Sequence, residues 1–280
     1  STGHSVPRSG GPDVLPLAAG PSSAPIAIST YGRAVVRSAR TAILVHGAGM
    51  DQSVWTLQGR YLAFHGWNAV AVDLPGHGRA RAQPALRSIG ELAEWLAALI
   101  GMLGVERAAV VGHSMGALAA LELAARHPER VSQLALLGAA ARMPVHPDLL
   151  ELARRHDRRA VDLICDWAFG TRGHVGGNPL PGGWLMGAAQ GLLLRGDPAV
   201  FAADLSACAG YEDGERAAAA VRCPTLVVVG AEDRMTPPRA GRALAERIAG
   251  ATCAEITDAG HMMMVEQPEA TLAELRKFMG

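Results

Sequence analysis

The segment Gly112-His113-Ser114-Met115-Gly116 constrains the fold of this chain more than any other stretch. An apolar, strand-like run, Ala108–Val111, precedes it, and a helix-like apolar pattern, Ala117–Ala125, follows it. A serine between two glycines at a strand-to-helix turn is typical of a nucleophile elbow. The turn holds the serine in strained backbone space, and a Cβ at either glycine would collide with neighbouring backbone. We therefore predict that the turn presents the Ser114 hydroxyl at the C-terminal edge of a sheet, where open α/β folds bind ligands.

The pentapeptide alone is weak evidence. The chain holds 33 glycines among its 280 residues, and at that frequency roughly one or two such chains in ten contain a Gly-x-Ser-x-Gly by chance. The interpretation therefore depends on the pattern around it.

Continuous apolar runs that read as strands alternate with helical patterns on both sides of the elbow. Such runs indicate a mostly parallel sheet buried on both faces. The expected strands are a short pair over Ile26–Val36, then Thr41–Val45, Trp67–Val72, Ala108–Val111, Val131–Leu137, Thr225–Val229 and Ala251–Ile256. The expected helices between and after them are Val54–His65, Ile89–Leu103, Pro237–Ala249 and Pro268–Phe278.

The alternation stops between residues 142 and 221, where only helical patterns occur. The expected helices there are Pro147–Arg155, Ala160–Ala168, Trp184–Leu194 and Pro198–Ala209, with a Gly/Pro loop over Gly170–Gly183. We therefore expect an α/β core formed by residues 26–141 and 222–280, with a helical cap over 142–221. Residues 1–25 are rich in Gly, Pro and Ser and are expected to form a flexible arm.

Composition excludes several function classes. Apolar residues make up 49% of the chain and charged residues 19%, and the formal net charge is zero, so no basic field would attract nucleic acid. The apolar runs are too short for a membrane span, and no signal peptide is recognisable. The four cysteines form no C-x-x-C pair and are interpreted as reduced thiols of a cytoplasmic protein. No metal-binding or nucleotide-binding motif is present, so no metal and no cofactor are expected.

A serine nucleophile needs a base, and the base needs an acid that orients it. His261 follows the last expected strand and would lie at the same sheet edge as Ser114, which makes it the candidate base. For the acid we favour Asp233, just past a strand end, over Glu232 and Asp258. Asp233 could also be a helix N-terminal acid, and the two roles are compatible.

Backbone N–H groups must stabilise the oxyanion that forms during acyl transfer. Met115, which follows the nucleophile, supplies one of them. The second is assigned to Ala48 in the glycine-rich loop 46–50, with Gly49 or Met50 as alternatives. His46 is interpreted as a structural hydrogen-bonding residue.

Four motifs in this order resemble the α/β-hydrolase family from about Ile26 to the C terminus. They are His46-Gly47-Ala48-Gly49 with Trp55, Asp73-Leu74-Pro75-Gly76-His77-Gly78, Gly112–Gly116, and Gly230-Ala231-Glu232-Asp233 with Gly260-His261. The resemblance implies an eight-stranded, mostly parallel sheet flanked by helices, with a helical cap inserted after the sixth strand. Ser114 stands where haloalkane dehalogenases and most epoxide hydrolases carry aspartate, which argues against those activities.

These features predict a serine hydrolase that cleaves a carboxylic ester or lactone of a small to medium, largely apolar substrate. The residues expected to line the substrate pocket are Met50, Trp55, Trp167, Trp184, Met186 and Met262. Thioesterase, carbon–carbon bond hydrolase, perhydrolase and lyase activities use the same residues and remain alternatives, as does a ligand receptor that retains the triad. The expected partner is a small ester-like molecule, and the sequence leaves the oligomeric state open.

Overall fold

The computed structural model describes residues 26–174 and 183–280, together with the backbone of residues 14–15. The strands are β1 (Val14–Leu15), β2 (Ile26–Ser29), β3 (Thr41–Val45), β4 (Asn68–Val72), β5 (Ala108–His113), β6 (Val131–Leu137), β7 (Thr225–Gly230) and β8 (Thr252–Ile256). Strands β2 to β8 form a seven-stranded sheet in the order β2-β4-β3-β5-β6-β7-β8. Strand β2 is antiparallel to β4, and the pairs from β4 to β8 are parallel.

The mostly parallel sheet is confirmed, but its strand count differs from the expected eight. The count reaches eight only when the two-residue β1, antiparallel to β2 at the sheet edge, is included. Central strands β3, β4, β5 and β7 are buried along their whole length. Successive residues of one strand lie in opposite cores: Ile43 packs in one apolar cluster and Leu44 in the other. Both faces are therefore buried, which explains why these strands are apolar without a break.

Helices cover the two faces of the sheet. Outside residues 142–221 they are α1 (Thr56–Phe64), α2 (Ile89–Met102), α3 (Met115–Arg126), α10 (Pro238–Arg247), α11 (Met263–Glu266) and α12 (Pro268–Met279). Short 3₁₀ turns span Gln52–Trp55 and Gly78–Ala80. The Ser88 hydroxyl accepts a hydrogen bond from the Glu91 N–H and so caps the start of α2.

Among the described residues, six helices lie between β6 and β7, and we call them the inserted helices. They are α4 (Pro147–Arg154), α5 (Arg159–Ala168), α6 (Thr171–His174), α7 (Leu185–Arg195), α8 (Pro198–Ala209) and α9 (Gly214–Ala220). Helix α8 has the expected bounds, whereas α6 and α9 were not expected. The rest of the expected Gly170–Gly183 loop, residues 175–182, lies outside the described residues.

The expected strand pair over Ile26–Val36 is wrong in its second half. The chain turns at Tyr31 and Gly32, which have φ angles of 56° and 78°, but residues 33–36 form no strand. The Asn68 side chain accepts a hydrogen bond from the Val36 N–H (2.8 Å) and donates one to the Val36 carbonyl (2.7 Å). A side-chain amide thus satisfies the backbone groups that a neighbouring strand would otherwise have paired.

Within residues 26–174 and 183–280, none of the helices combines the length and the apolar composition that crossing a bilayer requires. The expectation of a flexible arm over residues 1–25 falls outside the described residues, apart from the backbone of 14–15.

Candidate active site

Ser114 lies at the turn between β5 and α3, in the left-handed half of backbone space. Its φ and ψ are 54° and −119°, a conformation that costs a non-glycine residue free energy and that the surrounding structure must hold in place. The Ser114 N–H donates to the Leu137 carbonyl at 2.9 Å, so strand β6 fixes the turn from one side. The side chain is therefore presented at the C-terminal edge of the sheet.

The two glycines of the elbow are required by close backbone contacts, as the sequence predicted. A Cβ on Gly112 would lie 2.3 Å from the Gly116 carbonyl oxygen, and a Cβ on Gly116 would lie 2.5 Å from the His46 carbonyl oxygen. Neither position leaves room for a side chain, because the atoms in the way are backbone.

His261 and Asp233 are joined by a buried hydrogen bond. His261 Nδ1 lies 2.8 Å from Asp233 Oδ2, and the exposed fractions of the two residues are 2% and 3%. Since the carboxylate accepts, Nδ1 carries the proton and Nε2 carries the lone pair. His261 Nε2 is buried and has no hydrogen-bond partner among the described residues. His261 and Ser114 line the same cavity, so this free nitrogen is available to take up a proton there.

Asp233 is held by donors on both of its oxygens. Oδ1 accepts the N–H groups of Met235 and Thr236, each at 2.8 Å, and Oδ2 accepts the Thr236 hydroxyl at 2.7 Å in addition to His261. Burial alone would raise the pKa of Asp233, but His261 and the Thr236 donors outweigh it and lower that pKa below its ordinary value. The carboxyl group therefore stays ionised beside the imidazole.

The two alternative acids are engaged elsewhere. Glu232 Oε2 accepts the Thr171 N–H at 2.7 Å, and Asp258 is a half-exposed carboxylate paired with Arg172 at 3.3 Å. The structure thus brings Asp233, and neither Glu232 nor Asp258, to His261.

Backbone N–H groups beside Ser114 divide into occupied and free ones. The Gly49 N–H donates to Asp204 Oδ2 at 2.8 Å, and the Met50 N–H donates to the Gly47 carbonyl at 3.2 Å. No hydrogen bond joins the N–H of Ala48 or of Met115 to an acceptor among the described residues. The two groups named from the sequence as oxyanion donors are therefore free, whereas the alternatives Gly49 and Met50 are occupied.

A cavity of about 550 Å³ opens over Ser114 and His261. Ala48, Met50 and Met262 border it from the core, and Trp167 borders it from the inserted helices. Further apolar wall residues are Val145, Leu149, Ile164, Phe169, Leu193 and Leu205. The lining is mostly hydrophobic with a few polar groups near the serine, which is typical of small-molecule sites.

Three residues expected in the pocket lie elsewhere. Trp55 is fully buried in the core on one side of the sheet, because the 3₁₀ turn that carries it points inward. Trp184 is 63% exposed at the start of α7, and Met186 is half-buried on that helix. None of the three is among the residues that line the cavity.

Several residues around the site were missed by the sequence reasoning. Arg234 lines the cavity, with its Nη1 atom 3.8 Å from Asp166 Oδ2. Thr236 also lines it, and its Oγ1 atom lies 3.2 Å from His261 Nδ1. The sequence did offer one indication: both residues follow Asp233 within three positions. Residues in the same loop as the candidate acid share its surroundings.

Glu266 braces the loop that carries His261. Its Oε1 atom accepts the N–H groups of Gly260 at 3.0 Å and Met262 at 3.1 Å, on either side of the histidine. Its Oε2 atom accepts the Gly170 N–H at 2.8 Å, which connects the same loop to the start of α6. Burial raises the pKa of this carboxyl group although the three donors oppose the shift.

Two more histidines are buried beside the site as neutral rings. His113 Nε2 donates to the His261 carbonyl at 2.9 Å, while His46 Nδ1 donates to the Gly47 carbonyl and His46 Nε2 accepts the Leu74 N–H. Burial, reinforced by a neighbouring histidine, lowers the pKa of each to about 3. His46 thus joins two loops, consistent with its structural interpretation.

A family model described as the alpha/beta hydrolase family matches residues 42–275. The pimeloyl-[acyl-carrier protein] methyl ester esterase of Neisseria meningitidis serogroup A / serotype 4A (strain DSM 15465 / Z2491) is 33% identical over 243 residues, which are 84% of this chain and 75% of that protein.

Two solved structures share the architecture. The enol-lactonase from Burkholderia xenovorans LB400 has a TM-score of 0.78 and 28% identity, covering 86% of this chain and 92% of the other. A thermophilic esterase has a TM-score of 0.72 and 30% identity, covering 86% and 90%.

Proposed function

Because the chain belongs to the alpha/beta hydrolase family, we propose that it cleaves a carboxylic ester or lactone through an acyl-enzyme on Ser114. It is a hydrolase acting on ester bonds, in keeping with relatives that are named esterases and a lactonase. The observation that carries the proposal is the state of His261. One ring nitrogen is held by Asp233, and the other is free in the cavity that Ser114 lines.

The reaction begins when Ser114 Oγ attacks the ester carbonyl and His261 Nε2 accepts the hydroxyl proton. Asp233 keeps the imidazole in the required tautomer and stabilises the imidazolium. The free N–H groups of Ala48 and Met115 donate to the oxyanion of the tetrahedral intermediate. As the intermediate collapses, His261 gives its proton to the leaving alcohol, and the acyl group remains on Ser114.

Hydrolysis of the acyl-enzyme repeats these steps with water. His261 Nε2 takes a proton from the water, whose oxygen attacks the acyl carbonyl, and a second oxyanion forms at Ala48 and Met115. When the bond to Ser114 Oγ breaks, His261 returns the proton to that oxygen. The products are a carboxylic acid and the free enzyme.

Residues 142–221 act in this proposal as a cap that forms the apolar side of the substrate site. Trp167, Leu149 and Leu205 come from this segment, and the cavity volume of about 550 Å³ lies in the range of small-molecule sites. A largely apolar acyl or alcohol group of small to medium size fits such a lining. Met50, Trp167 and Met262 are the expected pocket residues that stay in the proposal.

The test is turnover of a panel of p-nitrophenyl esters of increasing acyl length, with aliphatic lactones and thioesters alongside. The unaltered protein is expected to prefer an oxygen ester or lactone. Ser114→Ala is expected to lower kcat by at least about 10³-fold without changing KM for the residual reaction by a comparable factor. Mass spectrometry of the quenched protein is expected to place the acyl group on Ser114.

Ser132→Ala is the matched control, because Ser132 is a half-buried serine on β6 that does not line the cavity. It is expected to retain full activity. Turnover that survives in Ser114→Ala would contradict the proposal. A preference for thioesters over every oxygen ester would replace the proposed ester hydrolysis by thioester hydrolysis.

A further inference from the structure

A carboxylate from the inserted helices reaches into the core beside the proposed oxyanion donor. Asp204, on α8, is 2% exposed, and its Oδ2 atom accepts the Gly49 N–H at 2.8 Å. The same oxygen lies 2.7 Å from His77 Nε2. One side chain thus contacts both loops that follow β3 and β4, although it is separated from them by more than a hundred residues of sequence.

His77 is built to present a positive charge to Asp204. Its Nδ1 atom lies 3.1 Å from the Pro75 carbonyl, which can only accept, so both ring nitrogens face acceptors and both donate. Burial would lower the pKa of His77, but the bond to Asp204 outweighs it and raises the pKa above the ordinary value. The other titratable ring nearby is His46, whose centroid lies 4.9 Å away and which stays neutral.

The inserted helices also fit closely against the loop that contains Gly49. A Cβ on Gly49, whose φ is 66°, would lie 2.6 Å from Leu193 Cδ2 and 2.7 Å from Phe201 Cδ2. Side chains from the end of α7 and the first turn of α8 therefore pack directly against this residue.

The consequence falls on the N–H of the preceding residue, Ala48. Residues 47–50 form a tight turn closed by the Met50 N–H and the Gly47 carbonyl, and Asp204 captures the Gly49 N–H at its outer side. The peptide plane that carries the Ala48 N–H also contains the Gly47 carbonyl, which the Met50 N–H and His46 Nδ1 hold on one side, and this N–H is left without a partner among the described residues. The Gly49 hydrogen bond to Asp204 fixes the following peptide, so its loss would let the turn shift and move the Ala48 N–H relative to Ser114.

We propose that Asp204 is a positioning residue that, together with His77, holds loop 46–50 so that the Ala48 N–H points at the oxyanion. Asp204 does not touch the substrate in this proposal, and it acts through the backbone of Gly49. The inference rests on the proposed function, and it gives the inserted helices a part in transition-state stabilisation in addition to lining the pocket. An N–H that points at the oxyanion contributes more in the transition state than in the substrate complex, so its loss lowers kcat rather than raising KM.

The experiment compares Asp204→Asn with Asp197→Asn, since both residues belong to one helix. Asp197 is exposed and caps α8 by accepting the Ala199 N–H at 2.8 Å. Asparagine keeps a capping oxygen, so Asp197→Asn removes one carboxylate charge from the same helix and leaves loop 46–50 unchanged. Steady-state kinetics on the best p-nitrophenyl ester give kcat and KM. The inhibition constant of a trifluoromethyl ketone, whose adduct with Ser114 carries an oxyanion, gives a second readout.

Asp204→Asn is expected to lower kcat by about 10- to 100-fold, with KM changed less than about threefold, and to weaken the trifluoromethyl ketone by a similar factor. Asp197→Asn is expected to leave the melting temperature nearly unchanged and to leave kcat and the inhibition constant within about twofold. A purely structural role for Asp204 would instead give equal behaviour of the two variants once both are assayed below their melting temperatures.

A second substitution keeps the test informative if Asp204→Asn folds poorly. When His77 is neutral, its proton stays on Nδ1 for the Pro75 carbonyl, so Nε2 becomes an acceptor that opposes the Asn oxygen. A glutamine at position 77 places an amide donor at the site of Nε2 whatever the pH. The double variant Asp204→Asn/His77→Gln is therefore expected to recover part of the lost kcat.

The outcomes separate the two claims. If Asp204→Asn matches Asp197→Asn in kcat and inhibitor binding, or if the double variant recovers none of the kcat that Asp204→Asn loses, the positioning role is overturned and the proposed function stands. If the unaltered protein shows no Ser114-dependent turnover, the proposed function fails and this inference fails with it.

Discussion

The two buried neutral histidines make the fold acid-sensitive in a way that a single substitution can measure. In the folded chain the pKa of His113 is lowered to about 3, because the ring is buried and lies beside His261. In the unfolded chain the same ring titrates near its ordinary pKa of about 6.5. Between those values the unfolded state binds a proton that the folded state does not, so the free energy of unfolding falls as the pH decreases.

The magnitude follows from linkage. Lowering the pH from about 7.5 to about 5.0 protonates His113 almost fully in the unfolded chain and scarcely at all in the folded one, which costs about 2 kcal/mol of stability. The result depends on the unfolded-state titration, since the folded-state pKa lies well below this range. His46, with its pKa also lowered to about 3, adds a similar loss.

His113→Gln isolates the contribution of one ring. The glutamine amide can still donate to the His261 carbonyl, as His113 Nε2 does at 2.9 Å, and it removes the buried Nδ1 that has no partner among the described residues. The variant is expected to lose about 2 kcal/mol less than the unaltered protein over the same pH interval. The measurement is reversible urea unfolding at several pH values, compared at constant ionic strength.

His65→Gln serves as the control, because His65 is an exposed residue at the end of α1. It changes the histidine count without removing a buried ring, and its pH dependence is expected to follow that of the unaltered protein. Equal slopes of unfolding free energy against pH for His113→Gln and the unaltered protein would refute the reasoning.

Three further substitutions test other parts of the site. Gly112→Ala is expected to abolish the yield of folded protein, because the new methyl group would lie 2.3 Å from a backbone oxygen; recovery of a normal melting temperature would contradict this. Thr236→Val removes a hydroxyl donor from Asp233, so the pKa of that carboxyl is expected to rise and kcat on the best ester to fall about 10-fold; an unchanged kcat would contradict a role for the hydroxyl. Glu266→Gln sets an amide NH₂ group against the Gly170 N–H and is expected to lower the free energy of unfolding, measured in urea, by about 1–3 kcal/mol. An unchanged free energy of unfolding would show that the Gly170 hydrogen bond contributes nothing to stability.

The central strands could be predicted because their pattern is local. Thr41–Val45 and Val131–Leu137 have the bounds expected from the sequence, since a mostly apolar run between turn residues leaves few alternatives for a strand of a parallel sheet that is covered on both faces. The site residues that follow such strands were predictable for a related reason. Parallel strands bring their carboxyl ends to one edge, so Ser114, Asp233 and His261 had to approach one another once the strands were recognised.

The lining of the cavity could not be predicted in the same way, because it depends on how helices are oriented relative to one another. Trp55 and Trp184 are both large aromatic residues that were expected in the pocket, yet one is fully buried in the core and the other is 63% exposed. Aromatic character gives the tendency to be buried but does not say against which surface. Trp167, by contrast, reaches the cavity because it lies on the face of α5 that borders the cavity.

The contacts of Asp204 with Gly49 and His77 could not be predicted, although the glycines of the two contacted loops are visible in the sequence. Gly49 and Gly76 both have positive φ angles, and each has a side chain of the inserted helices within 3.2 Å of where its Cβ would be. Glycines in a loop can serve the turn itself or can make room for another element, and the sequence does not separate the two uses. Here they do both. The same absence of a Cβ that lets the loop turn also lets α7 and α8 rest on it, which brings the Asp204 carboxylate within hydrogen-bonding distance of the backbone next to Ala48.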